Sequence, residues 1–292
     1  MSALRWHHRP KLQRPVLVAA FEGWNDAGDA ASGAARWLAD RHGAEQIATI
    51  EAEDFFDFTT TRPMVSTDAD GRRELTWPDT ELWGASTGTG TDLVVLVGHE
   101  PHLRWRTYCA AVIEAAQGLD CSMVLTLGAL LSDVPHSRPT AITGTADDPE
   151  LIERLALTRS AYEGPTGIVG VLHASCSKVG QPSASLWAAV PTYVSGAPSP
   201  KATLALVERS LSILGLSLPT VDLQIATAAY ERQIDELVAD DDDTAAYVAG
   251  LEEAADDDPD RDDDDTDDDF ESLAEADPAE LVEEVERFLR GD

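Results

Sequence analysis

The chain has 292 residues, 43% of them hydrophobic, which suffices for one large core and does not by itself demand two domains. Its net charge of −33 is concentrated at one end: 27 acidic and 3 basic residues fall from Asp235 onward, leaving −9 for residues 1–234. A body of that charge without a Lys/Arg stripe argues against nucleic acid and against an anionic membrane surface as partners.

Residues 1–14 contain Arg and His but no apolar central stretch of the kind a signal peptide needs, so they read as a flexible N-terminus. No later segment approaches the ~18 uninterrupted apolar residues of a membrane helix. Cys109, Cys121 and Cys176 are odd in number and lack CxxC spacing, as expected of reduced thiols, and a cytoplasmic location follows as the expectation.

Pro15 to Phe21 (PVLVAAF) is a continuous apolar run, the pattern of a strand buried on both faces, and GWNDAGDAASGAARWLADRHG after it predicts a turn feeding a helix. Asp26 is placed to cap that helix, with Asp29 near its positive end and Gly43 at its close. Gln46 to Ala52 predicts a second strand and Asp92 to Val97 (DLVVLV) a third. A helix from about His102 to Gln117 follows, closed by Gly118, and then a strand at Ser122 to Leu127. Gly167 to Leu172 (GIVGVL) reads as a further strand. Trp77, Trp83, Trp187 and Tyr193 fall in contexts that read as loops and predict core filling or interface anchoring. Ser199-Pro200 opens a helix with Leu204, Val207, Leu211 and Leu214 on one face, stopped by Gly215; Thr220 opens a second, so the two form a hairpin. A short helix is predicted over Thr244 to Ala254, and Asp256 to Asp269 is too charged and too poor in apolar residues to fold.

The expected organisation is therefore an α/β body over residues 15–251 with a mainly parallel sheet flanked by helices, a disordered acidic linker over 252–271, and an amphipathic C-terminal helix over 272–292. In that last segment Asp277-Pro278-Ala279-Glu280 has the order of a capping box. Leu281, Val285, Phe288 and Leu289 would share one face, suited to a partner's groove or to the protein's own surface.

Three clusters could carry chemistry. In FEGWNDAGDAA, Glu22 and Asp26 follow the first strand at the end where open α/β sheets place ligands, but the favoured reading is a capped turn packed around Trp24. The glycines there lack phosphate-loop spacing. In GHEPHLRW, His99 and His102 beside Glu100 are at most a weak metal pair, with no third ligand at recognisable spacing, so no metal and no cofactor is expected. In VPHSRP, His136 and Arg138 could act as acid/base and anion clamp, or simply satisfy carboxylates. No nucleophile stands out: Ser175 and Cys176 lack a GxSxG elbow and Lys178 lacks an obvious partner.

Taken in order, FEGWNDAG, EDFFDFTTTRP, LVGHEPHLRW, LGALLSDVPHSRP, YEGPTGIVGVL, SLWAAVPTYV and PSPKATLALV resemble the bacterial branch of the PAC2 (proteasome assembly chaperone 2) family. The resemblance implies a nucleoside phosphorylase-like α/β body, homo-oligomers such as trimers or tetramers, and kinship with chaperones of 20S proteasome rings. It makes a non-catalytic assembly chaperone or adaptor, with proteasome subunits or another ring-forming protein as its partner, the leading expectation. The alternative is an enzyme of the phosphorylase or hydrolase-like fold using Glu22, Asp26, Glu100, His136 and Arg138.

Overall fold

The computed structural model describes residues 3–68 and 70–257. Its centre is set by four apolar segments: β1 (Val16–Glu22), β2 (Leu93–His99), β3 (Met123–Ser132) and β4 (Ser183–Pro191). They pair in parallel in the order β2-β1-β3-β4. Antiparallel strands extend both sides of this core. β5 (Thr80–Ala85), β6 (Glu45–Ile50) and β7 (Leu4–Trp6) continue from β2, and β8 (Ile142–Ala146) closes the other side, giving eight strands.

Alternation along β1 explains why its whole length is apolar. Val16, Val18 and Ala20 enter one core, while Leu17, Ala19 and Phe21 enter the other. The first core is covered by α1 (Ala30–Arg41), α2 (Pro149–Leu155) and α3 (Pro200–Leu214). The second is covered by α4 (Trp105–Gly118) and α5 (Ile168–Val179). Tyr108 of α4 is fully buried in that second layer, and its hydroxyl is satisfied by Thr80 Oγ1 at 2.7 Å. No helix among the described residues is long and apolar enough to cross a membrane.

The expected α/β architecture is therefore present, with local differences: within the N-terminus expected to be flexible, Leu4–Trp6 form β7 because Leu4 is buried in the second core and the strand pairs with β6. Residues 168–172 belong to a helix, α5, and not to a strand. Ile168, Val169, Leu172 and Cys176 are its buried positions, a helical spacing hidden by the density of apolar residues, and Gly180 ends it at φ 70°. Conversely, SASLWAAVP forms β4, although its small residues give little strand signal. They fit because β4 lies between β3 and β8, where Ser185 shares a hydrogen bond with Thr126 at 2.7 Å.

The C-terminal part is helical as expected. Ser199 caps α3 by accepting from the Ala202 amide at 3.2 Å, and Gly215 stops it at φ 67°. α6 (Val221–Ala239) returns along α3 and buries only Tyr230 and Ile234. α7 (Asp242–Asp257) buries only Val248 and runs past Leu251, so residues 252–257 of the expected linker are helical. The predicted helix at 272–292, with Leu281, Val285, Phe288 and Leu289, lies outside the described residues. A small antiparallel ribbon, β9 (Met64–Thr67) with β10 (Arg73–Thr76), stands apart from the main sheet.

Candidate functional site

The residues singled out in the sequence follow the carboxyl ends of β1, β2 and β3, the edge where α/β folds bind ligands. Each is engaged there in one of three separate groups.

Glu22 ends β1. Its carboxylate contacts the Arg36 guanidinium of α1 and accepts from His99 Nδ1 at 2.8 Å. The His99 hydrogen bond, aided by Arg36, outweighs partial burial and holds the Glu22 carboxyl down at about 2. His102 does not join this group: its Nδ1 accepts from the Asp57 amide at 3.0 Å, while Phe56 meets the His99 and His102 rings edge-on at centroid distances of 6.5 and 5.8 Å. Among the described residues no cluster of three His, Cys, Asp or Glu side chains could hold a metal ion.

The second group ties together two helix starts. Asp26 pairs as an isolated bridge with Ala129 of β3, and its Oδ1 accepts from the amides of Ala31 and Ser32 at 2.7 and 3.1 Å. It therefore caps α1, although a short 3-10 turn intervenes. Burial raises the Asp26 carboxyl above its usual range, against the pull of the Ser32 and Ala31 donors. Glu100 performs the same service from a distance, since its Oε1 accepts from the Ile168 amide at 2.7 Å, at the start of α5, and from Asn25 Nδ2 at 2.9 Å. Gly167 makes this approach possible: a Cβ there would lie 2.6 Å from Asn25 Oδ1 and 3.0 Å from Glu100 Oε1.

His136 and Arg138 form the third group, whose partners lie on the C-terminal helices. The Tyr193 hydroxyl accepts from the His136 amide at 2.7 Å and lies 2.8 Å from Nδ1, while Nε2 faces Asp235 of α6 at 3.0 Å. A proton on Nε2 satisfies all three contacts. Arg138 binds both oxygens of Asp256 in α7, at 2.8 and 2.7 Å, with Glu252 at 3.6 Å. This loop is the socket that fastens α6 and α7 to the sheet.

The five proposed catalytic side chains thus line one edge; the Glu100 amide donates to the Glu22 carbonyl at 2.9 Å, but among the described residues no side-chain hydrogen bond joins the three groups. Reactive thiols are equally distant from chemistry, since burial pushes Cys109 up to about 11 and Cys121 and Cys176 up to about 12.

Between the groups lies a cleft that the sequence motifs did not reveal. Two adjoining chambers of about 440 and 340 Å³ share Trp24, Leu130 and Trp187. Trp24 is 58% exposed, so the turn is not packed around it as expected. Trp187, expected in a loop, sits on β4 opposite Gly128, where a Cβ would come within 2.4 Å of its ring. That glycine lets the indole lie across β3, a pairing visible only after strand register is known.

The charged strand-end motifs of this α/β sheet are engaged in helix caps and ion pairs, with an open aromatic cleft beside them. The PAC2 family model matches residues 20–238, and the chain belongs to the PAC2 family. It is similar to a PAC2 family protein from Streptomyces avermitilis, with 44% identity, coverage of 80% of this chain and 99% of that one, and a TM-score of 0.75. It is also similar to a Mycobacterium tuberculosis proteasome-assembly chaperone homologue, with 42% identity, 80% and 99% coverage, and a TM-score of 0.73. Pyrococcus furiosus PbaB, described as an archaeal proteasome activator, shares the fold at 16% identity, with 80% and 97% coverage and a TM-score of 0.66. No curated protein matches the chain.

Proposed function

We propose that this PAC2 protein is a non-catalytic assembly chaperone or adaptor that works in the cytoplasm through protein contacts, with components of a proteasome or a similar ring complex as its partners. The observation that carries this reading is the engagement of Glu22, Asp26, Glu100, His136 and Arg138 in caps and ion pairs that serve the fold. Similarity to a proteasome-assembly chaperone homologue supplies the partner class. The exposed apolar side chains Val221, Ile225 and Leu237 of α6, and Met64, Val65 and Leu75 of the ribbon, supply surface for a partner or for self-association into a trimer or tetramer. Residues 272–292, with Leu281, Val285, Phe288 and Leu289, are proposed as a further partner contact.

The test mixes the purified full chain with ring-forming protease subunits from the same organism and follows assembly by native mass spectrometry. The proposal expects a defined complex or faster ring formation. Rings that form at the same rate, with no complex detected, would overturn it.

A further inference from the structure

Between α4 and α5, the two helices over the second core, runs a groove of about 920 Å³. Small residues line both sides of it, Ala110 and Gly118 from α4 and Gly170 and Ala174 from α5, which leaves room for a third helix to come close. Val171 and Val179 add apolar surface, and Val179 is 54% exposed. The charged lining is cationic: Arg9, Arg106 and Lys178 stand against the single acid Glu114. Arg9 is braced over the Trp6 ring at 4.5 Å, and neither Arg106 nor Lys178 forms an ion pair among the described residues. In a body of charge −9 this is a local inversion, and the aromatic cleft, lined by Asp26 and Asp29 and by no described Lys or Arg, has the opposite sign.

The chain beyond α7 matches this surface in charge, pattern and length. Residues 258–292 hold 17 acidic and 3 basic side chains. At helical spacing Leu281, Val285, Phe288 and Leu289 form an apolar face with Glu284 and Glu286 at its two margins. Leu281 to Leu289 spans about 12 Å of helix, and the groove follows α5 from Gly170 to Val179 over about 14 Å. The tether also reaches: α7 ends at Asp257, and residues 258–271 extend up to about 46 Å, against a radius of gyration of about 18 Å for a body of this length. Its repelling aspartates favour extension.

We propose that the groove between α4 and α5 is the docking site for residues 272–292 of the same chain, bound as a helix whose apolar face covers Val171 and Val179 and whose glutamates meet Arg106 and Lys178. The tether favours the chain's own segment over a free one, because it holds the segment at an effective concentration on the order of 1 mM. A helix of this length is marginal alone in water, so docking is what orders it. The occupancy needs no partner and stands apart from the assembly reading. A partner that also uses Leu281, Val285, Phe288 and Leu289 must first draw them out of the groove, which makes the docked state a self-masking one.

Amide hydrogen exchange on the purified full chain tests the idea, because a docked helix is protected and a free one is not. Residues 281–289 should be protected, and zero-length carbodiimide coupling should join Lys178 to Glu284 or Glu286 within one chain. The double variant Arg106→Glu with Lys178→Glu alters two exposed side chains, so the urea midpoint should hold while exchange of 281–289 accelerates at least about tenfold. Adding Glu284→Lys with Glu286→Lys, which reverses the charges on the segment as well, should recover most of the protection. Protection should also persist on about hundredfold dilution, since a tethered contact is independent of concentration. Exchange of 281–289 at unprotected rates in the wild type, protection that survives the groove reversal, or protection lost on dilution, the mark of a second copy in the groove, would overturn the proposal.

Discussion

The turn after β1 and the socket after β3 use the same chemistry, a charged side chain offered to donors or acceptors from another element, in opposite surroundings. In the turn, Asn25 and Asp26 are 1% and 6% exposed; Asp26 accepts from an amide at the start of α1, and Asn25 donates to Glu100, which accepts from the amide that starts α5. In the socket the partners Asp235 and Asp256 have side chains 67% and 62% exposed, and they hold two helices that bury one or two side chains each. Burial decides the difference. A buried amide that loses its acceptor costs roughly 1–3 kcal/mol, whereas an exposed ion pair is screened and contributes little. The turn therefore belongs to global stability and the socket to local fastening.

The largest effect that would sharpen this contrast is expected from Gly167→Ala. Its backbone is an ordinary extended one at φ −87°, so the penalty is purely steric, from a Cβ placed 2.6 Å from Asn25 Oδ1. A loss of about 2–3 kcal/mol in urea unfolding is expected, and a loss under about 0.5 kcal/mol would show that the turn adapts freely. Next comes Glu100→Ala, which orphans the Ile168 amide and should cost about 2 kcal/mol, while Glu100→Gln keeps an acceptor and recovers most of it. If alanine and glutamine cost the same, the capping role is wrong.

Glu22 should show a smaller, pH-dependent effect. Its carboxyl has the ordinary value of 4.5 when unfolded and about 2 when folded, so the stabilisation is fully present above pH 4.5 and is lost as pH falls toward 2. Because the pair is partly solvated, about 1 kcal/mol is expected at neutral pH. The gap between wild type and Glu22→Gln should close over that window, and a gap constant from pH 6 to about 2 would exclude a charge origin. The smallest global effect belongs to Arg138→Ala. The urea midpoint should stay in place while amide exchange in α7 accelerates, and a shifted midpoint would erase the distinction between turn and socket.

Much of this fold was legible in the residues. The apolar runs of β1 and β2, the Ser199-Pro200 start and Gly215 stop of α3, and the capping of α1 by Asp26 are local signals that survived packing. The strand expected at Gly167 to Leu172 failed because buried helices and buried strands are equally apolar over five residues, and only the later spacing to Cys176 separates them. β4 was hidden for the opposite reason, small polar residues that bond within the sheet. At the site, the clustering of Glu22, Asp26 and Glu100 near one edge follows from strand ends, but their separate partners do not. Arg36, Ile168 and Asn25 reach them through tertiary contacts of no fixed sequence spacing. The cleft was illegible because its walls come from β3, β4 and the first turn together.

The central claim is that these strand-end charges build a scaffold for protein contacts. It is tested most directly by measuring, for Glu100→Ala and Glu22→Gln side by side, urea stability and capture of ring subunits by native mass spectrometry. Capture should fall only in proportion to the folded fraction, and stabilising each variant with an osmolyte should restore it. A variant that keeps wild-type stability yet loses capture, or any turnover of a small molecule abolished by Glu22→Gln with the fold intact, would contradict the account.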